Sequence, residues 1–309
     1  MHAARSARPF LILLPALAAF GPVSSRADDV PAEAGPASTA GTGDASPRVT
    51  RADRPCDATS DECVAVGRWN VSLSLGLGVR TNPLVGERDI PLVVVPQVSY
   101  YGDHFFLDNL DFGWTLGERR SSSWSLIATP GYDRVFFDRS DPQNFFIGTV
   151  DTITQTTSPS EAAAPAQMRL SPGHPEVTYL AGPEWTFVRA GVTGQVDALH
   201  EITGHNHGNE VRAALGLPLV DGVGSLVADV GFTWKSAAIV DYFYGVPGSY
   251  QPGAAVNPFL KIGYSAPLRA KWRLTAFVHE ERLGDAIAQS PIVAQRYVLT
   301  VFAGATRVF

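Results

Sequence analysis

The stretch IPLVVVPQVSYYGDHFFLDNLDFGWTL, residues 90–116, decides the fold. Nearly every residue in it favours extended chain, the consecutive Val93, Val94 and Val95 and the aromatics above all. It also carries Gln97, Asp103, His104, Asp108 and Asp111, two prolines and a turn at Gly102. No helical pattern follows it, so something other than a layer of helices must bury the apolar face of these strands.

The neighbouring sequence repeats the texture with period two. In WNVSLSLGLGV, Trp69, Val71, Leu73, Leu75, Leu77 and Val79 alternate with Asn70, Ser72, Ser74, Gly76 and Gly78. SLVADVGFTWK sets Leu226, Ala228, Val230, Phe232 and Trp234 against Ser225, Asp229, Gly231, Thr233 and Lys235, with Val227 as an exception. WRLTAFVHEE does the same, broken at Phe277 and Glu280. Further strands are predicted near 92–101, 104–116, 124–132, 178–188, 190–199, 208–219, 255–266 and 296–309.

A soluble sandwich would alternate in the same way, so three further features decide. Strands of about ten residues suit a tilted crossing of a hydrocarbon layer, whereas soluble strands average about five or six. The non-apolar faces mix small and charged residues, as a polar lumen requires. All six tryptophans, Trp69, Trp114, Trp124, Trp185, Trp234 and Trp272, fall near predicted strand ends, where membrane barrels carry aromatic girdles. The fold class expected is therefore all-β, a closed antiparallel transmembrane β-barrel whose apolar exterior meets outer-membrane lipid and lipopolysaccharide.

Strand parity sets the number. Short connections at 102–103, 189, 220–223 and 267–270 belong on the periplasmic side, and long ones at 80–91, 200–207, 236–254 and 282–295 outside. This works if NFFIGTVDTITQ, residues 144–155, adds a crossing. Twelve strands are then favoured, with ten the alternative. Twelve would place Trp69, Trp185 and Trp272 at one interface and Trp114, Trp124 and Trp234 at the other. Pro91 can open its strand, and Pro96, lacking a ladder donor, implies a bulge.

Residues 1–27 read as a signal peptide: Arg5 and Arg8, an apolar run from Phe10 to Phe20, then Ser25 and Ala27 before the expected cut. Residues 28–66 are rich in Ala, Pro, Gly, Ser, Thr and Asp and cannot offset the entropy of ordering, so they read as a flexible periplasmic segment ahead of the barrel at 67–309. Within that segment, Cys56 and Cys63 are candidates for a small-loop disulfide in an oxidising compartment. A net charge of −6 argues against a nucleic-acid partner.

Several long pieces carry a family resemblance: NPLVGERDIPLVVVPQVSYYGDHFFLDNLDFGWTL, WSLIATPGYDRVFFDRSDPQNFFIG, YLAGPEW, LHEITGHNHGNEVRAALGLPL, DYFYGV and SPIVAQRYVLTVFAGATRVF. Together they resemble the MipA/OmpV family, nearer the OmpV branch, over about residues 67–309. The resemblance implies an outer-membrane barrel of a Gram-negative bacterium. It also implies a scaffold that brings a lytic murein transglycosylase together with a bifunctional penicillin-binding protein. The ending independently resembles the signal read by the barrel-assembly machinery: Phe309 closes an alternating strand, which Arg307 interrupts.

Chemistry is sparse. HEITGHNHGNE offers His200, His205 and His207 beside Glu201 and Glu210, a candidate metal set on what is predicted to be an external loop. Glu184, Asp197, Arg212, Asp229, Lys261, Arg273, His279 and Glu281 are predicted to face the lumen. Their mixed signs suit ion pairs that narrow the pore, with solute selectivity as the other role. No GxSxG occurs; the nearest nucleophile–base pairing is Thr275 with His279, and Glu280 and Glu281 should point to opposite faces. The expectation is a non-enzymatic scaffold without cofactors. A narrow pore is the first alternative, and a surface adhesin using loops 156–177 and 236–254 the second.

Overall fold

The computed structural model describes residues 67–119, 121–138, 175–220 and 224–309. The predicted signal peptide, residues 28–66 with both cysteines, the proposed strand at 144–155 and most of the 156–177 loop lie outside the described residues. The strands are β1 (Trp69–Arg80), β2 (Ile90–Tyr101), β3 (Phe105–Asp108), β4 (Asp111–Arg119), β5 (Ser122–Pro130), β6 (Tyr179–Arg189), β7 (Val192–Glu201), β8 (Asn209–Val220), β9 (Ser225–Lys235), β10 (Ala255–Arg269), β11 (Trp272–Arg282) and β12 (Tyr297–Val308). A 3-10 helix (Tyr132–Phe136) follows β5, helix α1 (Ala237–Tyr244) follows β9 and the short α2 (Asp285–Ala288) follows β11. Each strand runs antiparallel to its sequence neighbours, and β12 pairs with β1, closing a barrel of twelve strands.

The exterior is apolar and uncovered. Leu77 is 79% exposed and Leu116 66%, and Leu75, Trp114, Leu126, Val230 and Phe232 stand out beside them. Water would not tolerate a continuous apolar belt of this kind on a monomer, whereas acyl chains match it. Closure gives every strand a neighbour on both sides, so the sheet has no edge strand, although β2 before Val98 runs past the end of the short β3. The fold is that of an outer-membrane barrel.

The count of twelve agrees with the sequence, but the extra strand comes from a different place. What reads as one strand over 104–116 is a hairpin, β3 and β4, turned by Asn109 and Leu110. Asn109 adopts φ 56°, in the left-handed region where Asn is tolerated among non-glycine residues. Its backbone N–H donates to the Val98 carbonyl at 2.7 Å, and its side-chain oxygen accepts from the Val98 N–H at 3.1 Å. The barrel closes without residues 144–155.

The hairpin also moves the tryptophans. β4 now descends and β5 ascends, so Trp124 lies beside Trp185 with ring centroids 5.8 Å apart, and Trp114 lies opposite Phe105. Trp69, Trp114, Trp124, Trp185 and Trp272 thus gather toward the short-turn end and Trp234 stands alone toward the long-loop end, in place of the expected three and three.

Pro96 needs no bulge of its own. β3 pairs with β2 only through Ser99, Tyr100 and Tyr101, and Val98 directs its N–H and C=O to Asn109 on that side. Two residues on, Pro96 points the same way, past the end of β3, where its missing donor forfeits no ladder bond. The irregularity lies instead where the β1–β2 register shifts between Leu75 and Gly78.

Candidate functional site

The two ends of the barrel are built differently. At the long-loop end, the connections fold inward and form a protein core inside the barrel mouth. Leu180, Leu199, Ala255 and Val298 project from the wall and pack against Val135 and Phe136 of the 3-10 helix, Ile239, Val240, Phe243 and Tyr244 of α1, and Ile287 of α2.

One ion pair pins this plug. Lys235, at the top of β9, holds Asp133 through both carboxylate oxygens at 2.7 and 2.6 Å, and the Tyr244 hydroxyl donates to the same carboxylate at 2.8 Å. Burial and then the Asp133 charge push the Tyr244 phenol well above its ordinary value, so it stays a donor. The Arg80 guanidinium stacks over Phe136 at 4.9 Å, and Asn82 donates to the Phe136 carbonyl at 2.9 Å. The 3-10 helix is therefore tied to both β1 and β9.

Below the plug, toward the short-turn end, lies a cavity of about 290 Å³. Asp108, Asp111, Glu118, Glu184 and Asp197 line it, with Arg212 as the cation among them. Glu184, Asp197 and Arg212 form a cross-strand row over β6, β7 and β8. Gln195 donates from Nε2 to Glu184 and to both oxygens of Asp197, each at 3.1 Å. Tyr101 donates to Asp108 and Tyr132 to Asp111, also at 3.1 Å. Arg212 bonds Glu210 through Nε at 2.6 Å and Thr129 through Nη1 at 3.4 Å, and its guanidinium lies 5.2 Å from the Tyr132 ring centre.

The eight residues predicted to face the lumen separate into two groups. Glu184, Asp197 and Arg212 meet at the cavity, whereas Asp229, Lys261, Arg273, His279 and Glu281 occupy β9 to β11, the adjoining stretch of wall. There Asp229, Lys261 and His279 stand opposite one another on successive strands. Arg273 donates to Ser265 at 3.0 Å, Glu281 accepts from Asn257 at 2.7 Å, and His279 meets the Phe259 ring edge-on at 5.5 Å. Phe277, an exception to the apolar alternation, faces inward and stacks on Phe302 at 5.8 Å.

The histidine segment does not assemble a ligand set. His200 is exposed and bonds Asn209 at 2.9 Å, while His205 lies 6.3 Å from the Tyr242 ring. His207 takes φ 52° as a turn residue. Glu201 is consumed by the loop, accepting backbone N–H groups of Thr203, Asn206 and His207 and the Thr203 hydroxyl. Glu210 is committed to Arg212. Among the described residues no three candidate ligands come together. Thr275 and His279 are four positions apart on one strand, about 13 Å at the usual rise, out of reach for proton transfer.

The carboxylates missed in the sequence, Asp108 and Asp111, were hidden by reading β3 and β4 as one strand. Asp133 was hidden because it follows the last period-two residue of β5. Lys235 was visible on the polar face of its strand, but nothing local identifies its partner more than a hundred residues away.

A family model described as MltA-interacting protein MipA matches residues 73–309. The MltA-interacting proteins of Escherichia coli (strain K12) and Shigella flexneri are each 21% identical to this chain over 255 residues, covering 80% of it and 93% of theirs. An outer membrane channel from Pseudomonas putida F1 is similar at a TM-score of 0.38 and 12% identity, over 82% of this chain and 100% of that one. The family match runs from within β1 through the last strand to Phe309 and so takes in nearly the whole barrel. The chain belongs to the MipA family of MltA-interacting proteins.

Proposed function

We propose that this protein is a non-enzymatic outer-membrane scaffold that docks a lytic murein transglycosylase at its periplasmic, short-turn end, and through it a bifunctional penicillin-binding protein. The observation that carries this reading is the family match over residues 73–309, shared with relatives named for interaction with MltA. Two features of the barrel support it. The long-loop end is filled by the plug, leaving the opposite rim as the accessible working surface. Among the described residues that rim is basic: Arg68, Arg119, Arg189, Arg269, Lys271 and Arg307 are exposed there, against exposed Asp103 and Glu118. A concentrated positive rim steers an acidic partner surface and raises its rate of encounter.

The test is capture from detergent extracts by the immobilised full chain. Enrichment of a murein transglycosylase is expected, falling with salt and falling again in a variant carrying Arg189→Glu, Arg269→Glu and Lys271→Glu. Recovery of no murein enzyme by the folded wild-type chain removes the reading. The cavity and its charges favour one alternative, a solute-responsive lumen.

A further inference from the structure

The cavity beneath the plug carries a charge arrangement that the docking role does not use. Two like-charge pairs face it from directly opposed strand positions: Asp108 opposite Asp111 across β3 and β4, and Glu184 opposite Asp197 across β6 and β7. Like charges placed opposite each other weaken a sheet, and a fold does not gain stability by repeating the arrangement around one cavity. Their hydrogen bonds come from neutral donors, Tyr101 and Asn109 to Asp108, Tyr132 to Asp111, and Gln195 to Glu184 and Asp197, which orient the carboxylates.

The cation at the cavity, Arg212, is already paired with Glu210. Its remaining nitrogen, Nη2, is buried and has no hydrogen-bond partner among the described residues. The side chain is 8% exposed. A buried donor left unpaired is destabilising, the more so when charged, so this nitrogen calls for an acceptor. The carboxylates call for a cation.

We propose that this cavity binds a small zwitterion bearing a primary amine, an amino acid or short peptide. Its ammonium sits between the facing carboxylates and its carboxylate meets the Arg212 guanidinium, which a small side-chain movement turns to bring the buried Nη2 to the cavity surface. An ammonium supplies three donors and can serve Glu184 and Asp197 together, alongside the Gln195 amide that holds them. The volume, about 290 Å³, lies at the lower end of ligand pockets. Exposed Glu118, near the foot of β4, places the entrance at the periplasmic end. The proposal does not depend on the docking role, and either can fail alone.

Calorimetric titration of the full chain, folded in detergent micelles at low salt, tests it with three probes. L-Lysine carries amines and a carboxylate, 1,4-diaminobutane the amines alone, and succinate the carboxylates alone. Lysine should bind at least about tenfold more tightly than diaminobutane, the ratio expected of one charge-assisted hydrogen bond, and succinate should give no heat. Arg212→Gln should erase the advantage of lysine while leaving diaminobutane binding in place. Glu184→Gln with Asp197→Asn should weaken both amines. If Arg212→Gln fails to fold, Ala214→Phe replaces it: a ring directed into the cavity leaves every charge intact and should abolish lysine binding. Absence of lysine binding, diaminobutane binding as tightly as lysine, or lysine binding that survives Ala214→Phe would each overturn the proposal.

Discussion

Asp133 and Lys235 are two charges withdrawn from water, and their worth depends on each other. Both side chains are nearly inaccessible, and the pair is bidentate with a phenol as third partner. Desolvating such a pair offsets most of its attraction, but removing one member strands the other, at about 3–5 kcal/mol. Asp133→Ala should therefore lower the unfolding free energy of the lipid-refolded protein by about that amount. Adding Lys235→Met, which removes the stranded ammonium and keeps the stem, should restore much of it. Urea titration of both variants reads the difference. Equal stability of Asp133→Ala and wild type would mean that the ion pair does not hold the 3-10 helix in place.

At the level of elements, the barrel wall is thinned in places so that aromatic rings can lie flat against it. Gly113 on β4 stands opposite Phe106 on β3, and a Cβ built on it would collide with the ring. Gly117, further along the same strand, would meet nothing within 4 Å. Gly113→Ala should thus destabilise by about 1–3 kcal/mol through overpacking, Gly117→Ala by far less, and Phe106→Ala should remove most of the penalty at Gly113. Urea titration of the single and double variants measures each term. Additive losses in the double variant would show that ring and glycine do not share a site. This hairpin is also where the sequence is least legible. Strands with ten or so alternating residues, such as β1, β9 and β12, are readable because a period of two persists long enough to exclude a helix or an irregular loop. β3 has four residues, and its turn carries an Asn without a Gly, so nothing in the pattern breaks where the chain reverses. One unread turn then placed the twelfth strand downstream, sent Trp114 and Trp124 to the wrong end and separated Asp108 and Asp111 from the cavity they line. Along long strands, parity predicts a shared lumen-facing side for Glu184, Asp197 and Arg212, whereas which of them stand opposite one another depends on register, which parity leaves open.

For the whole molecule, what matters is whether the lumen is a passage. Val135, Val240 and Ile287 are 0% exposed and Phe243 1%. At about 1.5–3 kcal/mol for each buried side chain, these four residues alone hold the plug by on the order of 10 kcal/mol before any entropy is returned on release. Thermal opening against a term of that size is rare, and the cavity at the short-turn end then ends blindly against the plug. Folded wild-type protein in a planar bilayer should accordingly carry almost no steady current. Phe243→Ser with Tyr244→Ser strips two large side chains from the core and removes a donor to Asp133, so the same recording should show frequent or sustained openings. The effect should be stronger when Asp133→Ala is added, because the plug then loses its polar anchor as well. Heat-modifiable migration of the same preparations separates an opened barrel from an unfolded one. Wild-type conductance equal to that of the plug variants would mean that ions pass around the core built by the 3-10 helix, α1 and α2. The protein would then be a channel with an ornament at its mouth rather than a closed cylinder with a periplasmic binding chamber.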